Sequence, residues 1–286
     1  MPSNGEPNRM SAIQEIADIL ACPACKGMLQ IRPDAVGCMA CGASFLFHEG
    51  IPLFARKGSV ETWGRPPERE TIEAYQENYE ALARAERYNQ KYQRQFFKRM
   101  STRLEHRILE KLLAGRGHCS RILDIPSGGG RLSTQIAPAA DLLIEADIAL
   151  GQVLYARDTS KIPNPQVWMT ASAFHLPFKD RSIDGTVCVR LCHHLPSPGE
   201  RERLVRELLR VSRRFVIMTF FDENSPKNLL RRTHNLLGLP RKSPKLTMRV
   251  PRLKELAREA GADLAACPYL TFLGSGHRYA LMVRPS

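Results

Sequence analysis

The sequence predicts an α/β fold, built on a mainly parallel sheet and preceded by a small metal-stabilised domain. Three observations lead to this prediction. An apolar strand pattern runs into a glycine-rich loop and a helical pattern within "RILDIPSGGGRLSTQIA", residues 121–137. Apolar strand patterns then alternate with helical patterns almost to the end of the chain. Near the front, four cysteines stand in two close pairs.

Length and charge limit the classes of function. The 286 residues are enough for a main domain and a small one. The formal net charge of +13 favours an anionic partner, such as nucleic acid, a phosphorylated molecule or an anionic membrane face. The sequence has no run of about 18 apolar residues, so we expect no transmembrane segment. Residues 1–20 lack the features of a signal peptide, and we expect a cytoplasmic protein whose oligomeric state the sequence does not disclose.

Two C-x2-C pairs, twelve residues apart, lie within "CPACKGMLQIRPDAVGCMAC". Each pair can aim two thiolates at one point, so Cys22, Cys25, Cys38 and Cys41 can complete a tetrahedral zinc site. A closed site of four thiolates has no open coordination position, and we therefore expect the zinc to be structural. The alternative is a pair of redox motifs, but a redox C-x-x-C usually occurs once, beside a strand–helix–strand unit.

The stretch from about residue 19 to 55 resembles the small zinc-ribbon family that activates tRNA and protein methyltransferases as a separate subunit. The match rests on "LACPAC", on "CMACGASFLFHEGIPLF" and on their spacing. Two short strands joined at Pro33 and Asp34, and one further strand with an exit turn, are expected within it. We assign residues 1–58 to this zinc-ribbon domain.

Two segments of the chain are strongly basic. Residues 59–115 comprise a linker and a basic helical segment, in which eight Lys/Arg and two Glu lie between Arg84 and Arg107. An insert, residues 222–258, has ten Lys/Arg and one Glu from Lys227 to Arg258. Each segment is either a phosphate-contacting surface or a solvated face. Because the insert follows the fifth strand, we expect it to flank the ligand entrance at the carboxyl ends of the strands.

The glycine loop follows a strand that ends in Asp124. A phosphate-binding P-loop needs G-K-[ST] after the loop, and a dinucleotide loop needs a glycine where Ser133 stands. A carboxylate beside the loop would also repel a diphosphate in a partly dry site. S-adenosylmethionine has no phosphate, and Asp124 can accept hydrogen bonds from its ammonium group, directly or through water. Gly128 and Gly130 would let the backbone approach the ligand closely.

A second apolar strand, within "LLIEADIALGQVLYARD", ends in Asp147. An acid at this place accepts hydrogen bonds from ribose hydroxyls in folds of this topology. Two alternatives stay open from the residues alone. Asp147 could instead cap the following helix, and Glu145 could be the ribose-binding acid.

With "ASAFHLPFKDRSIDG" and "RLCHHL" added in order, the chain resembles the class I S-adenosylmethionine-dependent methyltransferases that carry an "LPF" turn, over about residues 70–286. The resemblance implies a Rossmann-like fold with the seven-stranded methyltransferase sheet in residues 116–286. It also implies the contacts of the cofactor, which are Asp124, Ser127, Gly128 and Gly130 around the methionine part, Asp147 at the ribose, Ile148 against the adenine, Ser172 and Ala173 at the adenine edge, and Arg190 beside the exit of the methyl group.

Two residues depart from the family pattern. Pro126 replaces the first glycine of the usual loop, and Ser172 stands where an aspartate is common. Neither change removes the cofactor from the prediction. If the adenine is recognised without that aspartate, we expect backbone groups near Ser172 to take part.

Candidate catalytic residues follow the fourth strand. Methyl transfer needs a base only if the acceptor must lose a proton, and His193 or His194 is near the right place to serve as one. The alternative is that one of them packs against or caps the following turn. The scattered cysteines, including Cys192, are interpreted as small buried apolar residues, and nothing around Cys192 marks it as a nucleophile.

The sequence thus predicts an S-adenosylmethionine-dependent methyltransferase with an anionic acceptor. RNA is favoured by the ribbon and the basic segments, but the scarcity of stacking aromatics weakens that case. A phosphorylated small molecule or lipid-linked intermediate is therefore an equally supported acceptor. A second hypothesis is a catalytically inactive methyltransferase-like scaffold or RNA-binding module, for which Pro126 and Ser172 are the only signs. Binding of S-adenosylhomocysteine separates the two hypotheses.

Overall fold

The computed structural model describes residues 11–55, 86, 96–236, 247–271 and 276–285. The predicted linker and the first part of the basic helical segment lie outside the described residues, as does the middle of the basic insert, residues 237–246. The predicted break between two helices near residue 88 therefore stays a prediction. So do the boundaries assigned to the three parts of the chain.

The front of the chain folds into a small antiparallel sheet in the strand order β1-β2-β3-β4. Its strands are β1 (Leu29–Ile31), β2 (Ala35–Cys38), β3 (Ser44–His48) and β4 (Ile51–Pro52). They are preceded by helix α1 (Ser11–Gln14) and a 3-10 helix (Ala17–Ile19). The predicted turn at Pro33 and Asp34 is confirmed. β4 adds one strand to the prediction, because the exit segment turns back to pair with β3.

The rest of the chain contains the predicted seven-stranded sheet, in the order β10-β11-β9-β8-β5-β6-β7. Strands β5 to β9 are parallel to one another. At one side of the sheet, β11 runs antiparallel to β9, and β10 runs antiparallel to β11. The strands are β5 (Cys119–Asp124), β6 (Ala140–Asp147), β7 (Gln166–Thr170), β8 (Ile183–Cys188), β9 (Ser212–Phe221), β10 (Asp263–Ala266) and β11 (His277–Val283). The α/β fold class and the terminal hairpin are confirmed.

Helices cover both faces of this sheet, as short connections between parallel strands require. They are α2 (Phe96–Ala114), α3 (Ser133–Ile136), α4 (Leu150–Thr159), α5 (Pro198–Val211), α6 (Pro226–Leu236) and α7 (Val250–Glu259). One buried core includes residues of α2 and α3, and the other includes residues of α5, α7 and the front domain. Among the described residues, no helix combines the length and the hydrophobicity needed to span a bilayer.

Helix α5 shows how the sequence fixes a helix start beside the ligand end of the sheet. The Ser197 hydroxyl accepts a hydrogen bond from the Glu200 amide at 3.1 Å, and the Glu200 carboxylate accepts one from the Ser197 amide at 2.7 Å. Pro198 occupies the first helical position, where no amide donor is needed. This reciprocal cap holds the turn that follows His193 and His194.

The front domain packs tightly against one edge of the large sheet. Its buried residues, among them Cys22, Val36 and Phe45, belong to the same apolar core as residues of the main sheet. The Thr170 hydroxyl at the end of β7 donates to the Ala55 carbonyl at 2.9 Å. Because the core is continuous across this contact, the front domain braces the sheet.

Hydrogen bonds and ion pairs reinforce that contact. The Ala21 amide donates to the Pro177 carbonyl at 3.0 Å. The Arg121 guanidinium pairs with Asp18 at 2.8 Å. Lys26, which follows the second cysteine, reaches Glu207 on α5 at 3.3 Å. The two parts are therefore joined by polar groups as well as by apolar packing.

Several cations of the basic insert pair with carboxylates of the chain itself. Arg252 on α7 pairs with Glu202 on α5 at 2.6 Å, and Arg249 pairs with Glu223 at 3.0 Å. Some of the cations that the sequence predicts to contact a ligand therefore form ion pairs within the chain, and one of these pairs joins α7 to α5. Its role toward a ligand stays a prediction.

Candidate functional site

A cavity of about 320 Å³ opens at the carboxyl ends of β5, β6 and β8, where the glycine loop lies. This is the end of a doubly wound sheet at which ligands bind. Its volume lies at the lower end of the range for small-molecule sites. The predicted residues that line the cavity are Ser127, Gly128, Asp147, Ile148, Ser172, Ala173, Arg190, His193 and His194.

The glycine loop adopts a conformation that side chains would oppose. Gly128 has φ of 55° and Gly130 has φ of 71°, both in the left-handed region. The Gly128 amide turns toward the end of β6 and donates to the Asp147 carboxylate at 3.0 Å. The loop is thus held against the second acid by its own backbone.

Asp147 is fully buried at the cavity. Besides the Gly128 amide, its carboxylate accepts the Ala149 amide at 2.9 Å, at the start of α4. Burial raises the pKa of Asp147 to about 6, although these backbone donors act in the opposite direction. Asp147 therefore braces the start of the helix and also lies at the cavity wall, and its role toward a ribose stays a prediction.

Glu145 was the alternative ribose-binding acid, and its contacts point away from that role. It is buried and accepts hydrogen bonds from the Trp168 indole at 2.8 Å and from the Gln166 amide at 2.9 Å. The Ser133 hydroxyl donates to its other oxygen. These donors occupy Glu145 inside the fold, and Asp147 is the acid that lines the cavity.

Asp124 lies beneath the glycine loop and is absent from the cavity lining. Its side chain is 1% exposed, and neither carboxylate oxygen has a hydrogen-bond partner among the described residues. Burial, and next the charges of Glu145 and Asp147, raise its pKa well above the ordinary value. The predicted contact of Asp124 with the cofactor stays a prediction, and a water-mediated contact fits this depth better than a direct one.

The remaining predicted contacts lie around the rim of the loop and the adenine side. Ser127 is buried, and its amide donates to the Ala146 carbonyl at 2.8 Å, which ties the loop to β6. Ser172 accepts the Phe174 amide at 3.3 Å and so shapes the turn after β7. Ile148 and Ala173 supply apolar wall. These residues surround one space, as a single ligand would require.

An arginine–glutamate–arginine group closes one side of the cavity. Arg190 and Arg131 both line the space, and both pair with the buried Glu105 of α2. The Arg190 Nε donates to Glu105 Oε1 at 2.9 Å, and the Arg131 Nη1 donates to Oε2 at 2.5 Å. Two guanidinium groups thus share one buried carboxylate at the cavity wall. Neither Glu105 nor Arg131 was predicted from the sequence.

Arg190 also has an unusual backbone. Its φ of 67° lies in the left-handed region, which is strained for a residue with a side chain. The Arg190 amide donates to the Thr219 hydroxyl on β9 at 2.7 Å. This contact fixes the turn that follows β8 and directs the chain into the histidine pair.

His193 and His194 line the cavity and belong to an aromatic cluster that the sequence did not reveal. The His193 ring lies 4.8 Å from the Phe221 ring and 4.9 Å from the His277 ring. Phe221 and His277 stack at 4.0 Å. The packing role proposed for the pair therefore applies to His193. A role as a base stays a prediction for either residue.

The scattered cysteines behave as buried apolar residues. Cys119, Cys188 and Cys192 are buried, and Cys267 is partly buried. Burial raises the pKa of Cys192 to about 12, so its thiolate is scarcely populated near neutral pH. Cys192 has the environment of a packing residue and lacks that of a nucleophile.

The four paired cysteines converge at the front of the chain. Their sulfurs lie within 4.8 Å of one another, with Cys22 Sγ 3.8 Å from Cys41 Sγ and Cys25 Sγ 3.5 Å from Cys38 Sγ. In a tetrahedral site with zinc–sulfur bonds of about 2.3 Å, neighbouring sulfurs are about 3.8 Å apart. The donor set and its spacing therefore fit zinc.

Backbone groups around the sulfurs fit a metal site too. The Gly27 amide donates to Cys25 Sγ at 3.4 Å, and the Ala40 amide donates to Cys38 Sγ at 3.4 Å. A Cβ at Gly27 would lie 2.7 Å from the Ala40 Cβ and 3.2 Å from Cys25 Sγ. Amide donors stabilise thiolates, and the small residue lets the two turns approach.

The comparisons with known proteins agree with this fold. The family described as "Methyltransferase domain" matches residues 123–218, which run from the end of β5 into β9 and contain the cavity. The O-methyltransferase rstn1 of Aspergillus nomiae is 33% identical over 147 residues, which are 48% of this chain and 63% of that protein. The chain spans less than two thirds of the length of the curated relatives it matches.

Among solved structures, the chain is similar to magnesium protoporphyrin IX methyltransferase from Synechocystis PCC 6803. With bound SAH that structure gives a TM-score of 0.60 at 17% identity, covering 74% of this chain and 99% of that chain. With bound SAM it gives a TM-score of 0.56 at 16% identity, covering 75% and 97%. At these identities the likeness shows the fold. Residues 123–218 thus match the methyltransferase family, and the chain has the α/β fold of this solved methyltransferase, with a seven-stranded sheet.

Proposed function

We propose that the chain is an S-adenosylmethionine-dependent methyltransferase and that the cavity is its cofactor site. The observation that carries the proposal is the meeting of a left-handed glycine loop and a buried carboxylate, Asp147, at the adjoining ends of β5 and β6. The Asp147 carboxylate accepts the Gly128 and Ala149 amides, and in this proposal it also accepts a ribose hydroxyl of the cofactor.

The arginine group supports the same ligand. Arg131 and Arg190, which line the cavity and share Glu105, are the cationic groups that we assign to the carboxylate at the methionine end of the cofactor. Ile148 and Ala173 supply apolar surface for the adenine, and Ser172 shapes the turn beside it. Asp124 is buried beneath the loop and would act on the ammonium group through a bridging water.

Bound S-adenosylmethionine supplies an electrophilic methyl group, and the protein's main task is to align the acceptor with it. Arg190 and the two histidines line the same side of the cavity. His194 is the better candidate for a base if the acceptor must lose a proton, because His193 packs edge-on against the stacked rings of Phe221 and His277. An acceptor that is already ionised needs neither histidine.

The acceptor in this proposal is an anionic molecule, either RNA or a phosphorylated small molecule or lipid-linked intermediate. The net charge of +13 supports this class. Part of the basic insert is neutralised by Glu202 and Glu223, so its described half contributes less to that charge than its sequence indicates. An inactive scaffold is the less favoured alternative, because Pro126 and Ser172 line an open cavity without closing it.

The four-cysteine cluster is proposed to bind one structural zinc ion. The ligands would be Cys22, Cys25, Cys38 and Cys41, and the sulfur spacing supports them. The thiolates must stay reduced, which supports a reducing compartment such as the cytoplasm. Elemental analysis of the purified chain should give one zinc per chain, and Cys25→Ser should lower that ratio. A metal-free chain with unchanged stability would contradict the proposal.

Calorimetry with S-adenosylhomocysteine tests the cofactor. We expect binding in the micromolar range, which Asp147→Ala abolishes or weakens strongly because the ribose loses its acceptor. NAD and ATP serve as controls and should give no heat, since the glycine loop has neither the P-loop lysine nor the third glycine. Binding of either control in preference to S-adenosylhomocysteine would contradict the proposal.

The acceptor is tested by tritiated methyl transfer to a cell extract that is afterwards separated into RNA, protein and lipid. Label in the RNA or lipid pool, absent with Asp147→Ala, would support the anionic acceptor. Label confined to protein would contradict it. Binding of total RNA across a salt series then distinguishes the classes, because phosphate contacts weaken steeply with salt.

A further inference from the structure

Helix α6, Pro226–Leu236, presents two adjacent leucines to solvent. Leu229 is 46% exposed and Leu230 is 71% exposed. The other side of the helix is anchored, because the buried Asn228 donates from Nδ2 to the Asp222 carbonyl at 2.6 Å. The Asn228 amide also donates to the Ser225 carbonyl at 2.9 Å. This anchorage fixes which side of the helix faces outward.

The charge of the helix is of one sign. Its sequence, "PKNLLRRTHNL", contains Lys227, Arg231 and Arg232 and no acidic residue. A helix that exposes large apolar side chains among cations, with low overall hydrophobicity, is typical of segments that lie in the interface of an anionic bilayer. Each cation near such a surface adds to the attraction through the negative potential of the lipid headgroups.

The helix stands close to the ligand cavity. It begins shortly after Phe221, the last residue of β9. The Phe221 ring contacts His193, which lines the cavity, at 4.8 Å. A membrane that contacts the leucines would therefore adjoin the end of the sheet at which the cavity opens.

The leucines favour a lipid surface over RNA as the partner. Single-stranded RNA is held by phosphate contacts and by stacking of bases on aromatic rings or guanidinium planes. The helix contains no Phe, Tyr or Trp, and its arginines suit RNA and lipid headgroups alike. The two leucines therefore decide between the partners, because exposed leucines make no favourable contact with RNA phosphates. Acyl chains, in contrast, gain free energy from burying leucine while the neighbouring cations contact headgroups.

We propose that helix α6 docks the protein on an anionic lipid surface, with Leu229 and Leu230 buried at the boundary of headgroups and acyl chains and the positive charge of the helix attracted by the headgroups. The contact is peripheral, since no described helix can cross a bilayer. It depends on the outer face of α6 and requires no ligand in the cavity. The docking proposal can therefore fail while the cofactor proposal holds, and the reverse is equally true.

Vesicle co-sedimentation of the full zinc-loaded chain tests the proposal. We expect binding to phosphatidylcholine vesicles that contain phosphatidylglycerol and little binding to pure phosphatidylcholine. Leu229→Ser with Leu230→Ser should weaken binding by roughly tenfold or more, because two leucines lose their burial. The matched control is Met28→Ser with Leu46→Ser on the front domain, where the side chains are 73% and 45% exposed, and it should bind as the parent does.

The affinity for S-adenosylhomocysteine is measured on each variant and should stay unchanged, which shows that the fold is retained. Vesicle binding without any affinity for S-adenosylhomocysteine would count against the cofactor proposal alone. Failure of the parent to bind the anionic vesicles would overturn the docking proposal. Undiminished vesicle binding by the double serine variant would also overturn it. The same holds if RNA displaces the vesicles and binds the parent and the double serine variant with the same affinity.

Discussion

Glu105 and Arg190 form a buried ion pair that joins helix α2 to the wall of the ligand cavity. The Arg190 Nε donates to Glu105 Oε1 at 2.9 Å, and the Glu105 side chain is 2% exposed. The second oxygen of the same carboxylate pairs with Arg131, which follows the glycine loop. One acid from a basic helix thus connects the loop, the turn after β8 and the helix itself.

Removing the charge of Glu105 should loosen this connection. In Glu105→Gln the two guanidinium groups would face a neutral amide with one acceptor, and breaking a buried pair costs more than an exposed one. Because both arginines are partly exposed, we expect a loss of about 2 kcal/mol in the free energy of unfolding, measured by urea denaturation. Glu110→Gln, at an exposed position of the same helix, should change it by less than about 0.5 kcal/mol. Equal effects of the two substitutions would contradict the role given to Glu105.

The front domain yields a prediction about packing around the proposed metal. In Gly27→Ala the new Cβ would lie 2.7 Å from the Ala40 Cβ and 3.2 Å from Cys25 Sγ, so the two cysteine turns must separate. We expect zinc to be released to a chromogenic chelator at a lower chelator concentration than from the parent. The control is Gly37→Ala, whose Cβ would meet only the Arg32 side chain at 3.8 Å. Zinc release that is alike in the two variants would show that the spacing at Gly27 does not hold the site.

Local sequence patterns predict much of the fold and of the site. Each C-x2-C pair, the glycine loop and each acid at a strand end is a short local pattern, and its geometry follows from backbone rules. Gly128 and Gly130 are both found in the left-handed conformation for which glycine is suited. The seven-stranded sheet was predicted from the family resemblance, and the handedness of crossover connections is consistent with it without fixing the strand order.

Contacts between distant segments could not be predicted in this way. Glu105 meets Arg131 across 26 residues and Arg190 across 85, and only the packing of α2 on the loop brings them together. The choice between Asp147 and Glu145 depended on Trp168, a residue of the neighbouring strand that binds Glu145 and holds it inside the fold. Periodicity and spacing contain no information about such partners.

Cys192 gives a chemical test of the interpretation that it is a packing residue. Burial raises its pKa to about 12, and the side chain is 1% exposed, so the thiolate that reacts with electrophiles is scarce and covered. We expect the Ellman reagent to label the zinc-loaded native chain at the same rate with or without Cys192→Ala. The same titration in denaturant should lose one thiol in the variant. A fast native phase that disappears in Cys192→Ala would show a reactive cysteine beside the cavity.

We expect Asp147 to make ligand binding depend on pH. Burial raises the pKa of its carboxyl to about 6, above the ordinary value of 3.8. In the free protein the proton is therefore held more tightly than in the unfolded chain, and this stabilisation declines as pH rises from about 4 to about 6. Ribose hydroxyls donate to the ionised carboxylate, so the affinity for S-adenosylhomocysteine should rise with pH and level off above about 6. Calorimetry at pH values from about 5 to about 8, spaced by about one pH unit, measures both the affinity and the number of protons released on binding.

Asp147→Asn separates this titration from other effects of pH. The amide keeps one acceptor oxygen but carries no charge to titrate, so binding should be weaker and should lose its rise between about pH 5 and about pH 6.5. Asp124 is the other buried acid near the loop, and burial raises its pKa as well. Asp124→Asn is therefore measured beside it. If the pH dependence disappears with Asp124→Asn and persists with Asp147→Asn, the proton belongs to the acid beneath the loop, and Asp147 is not the group through which pH controls cofactor binding.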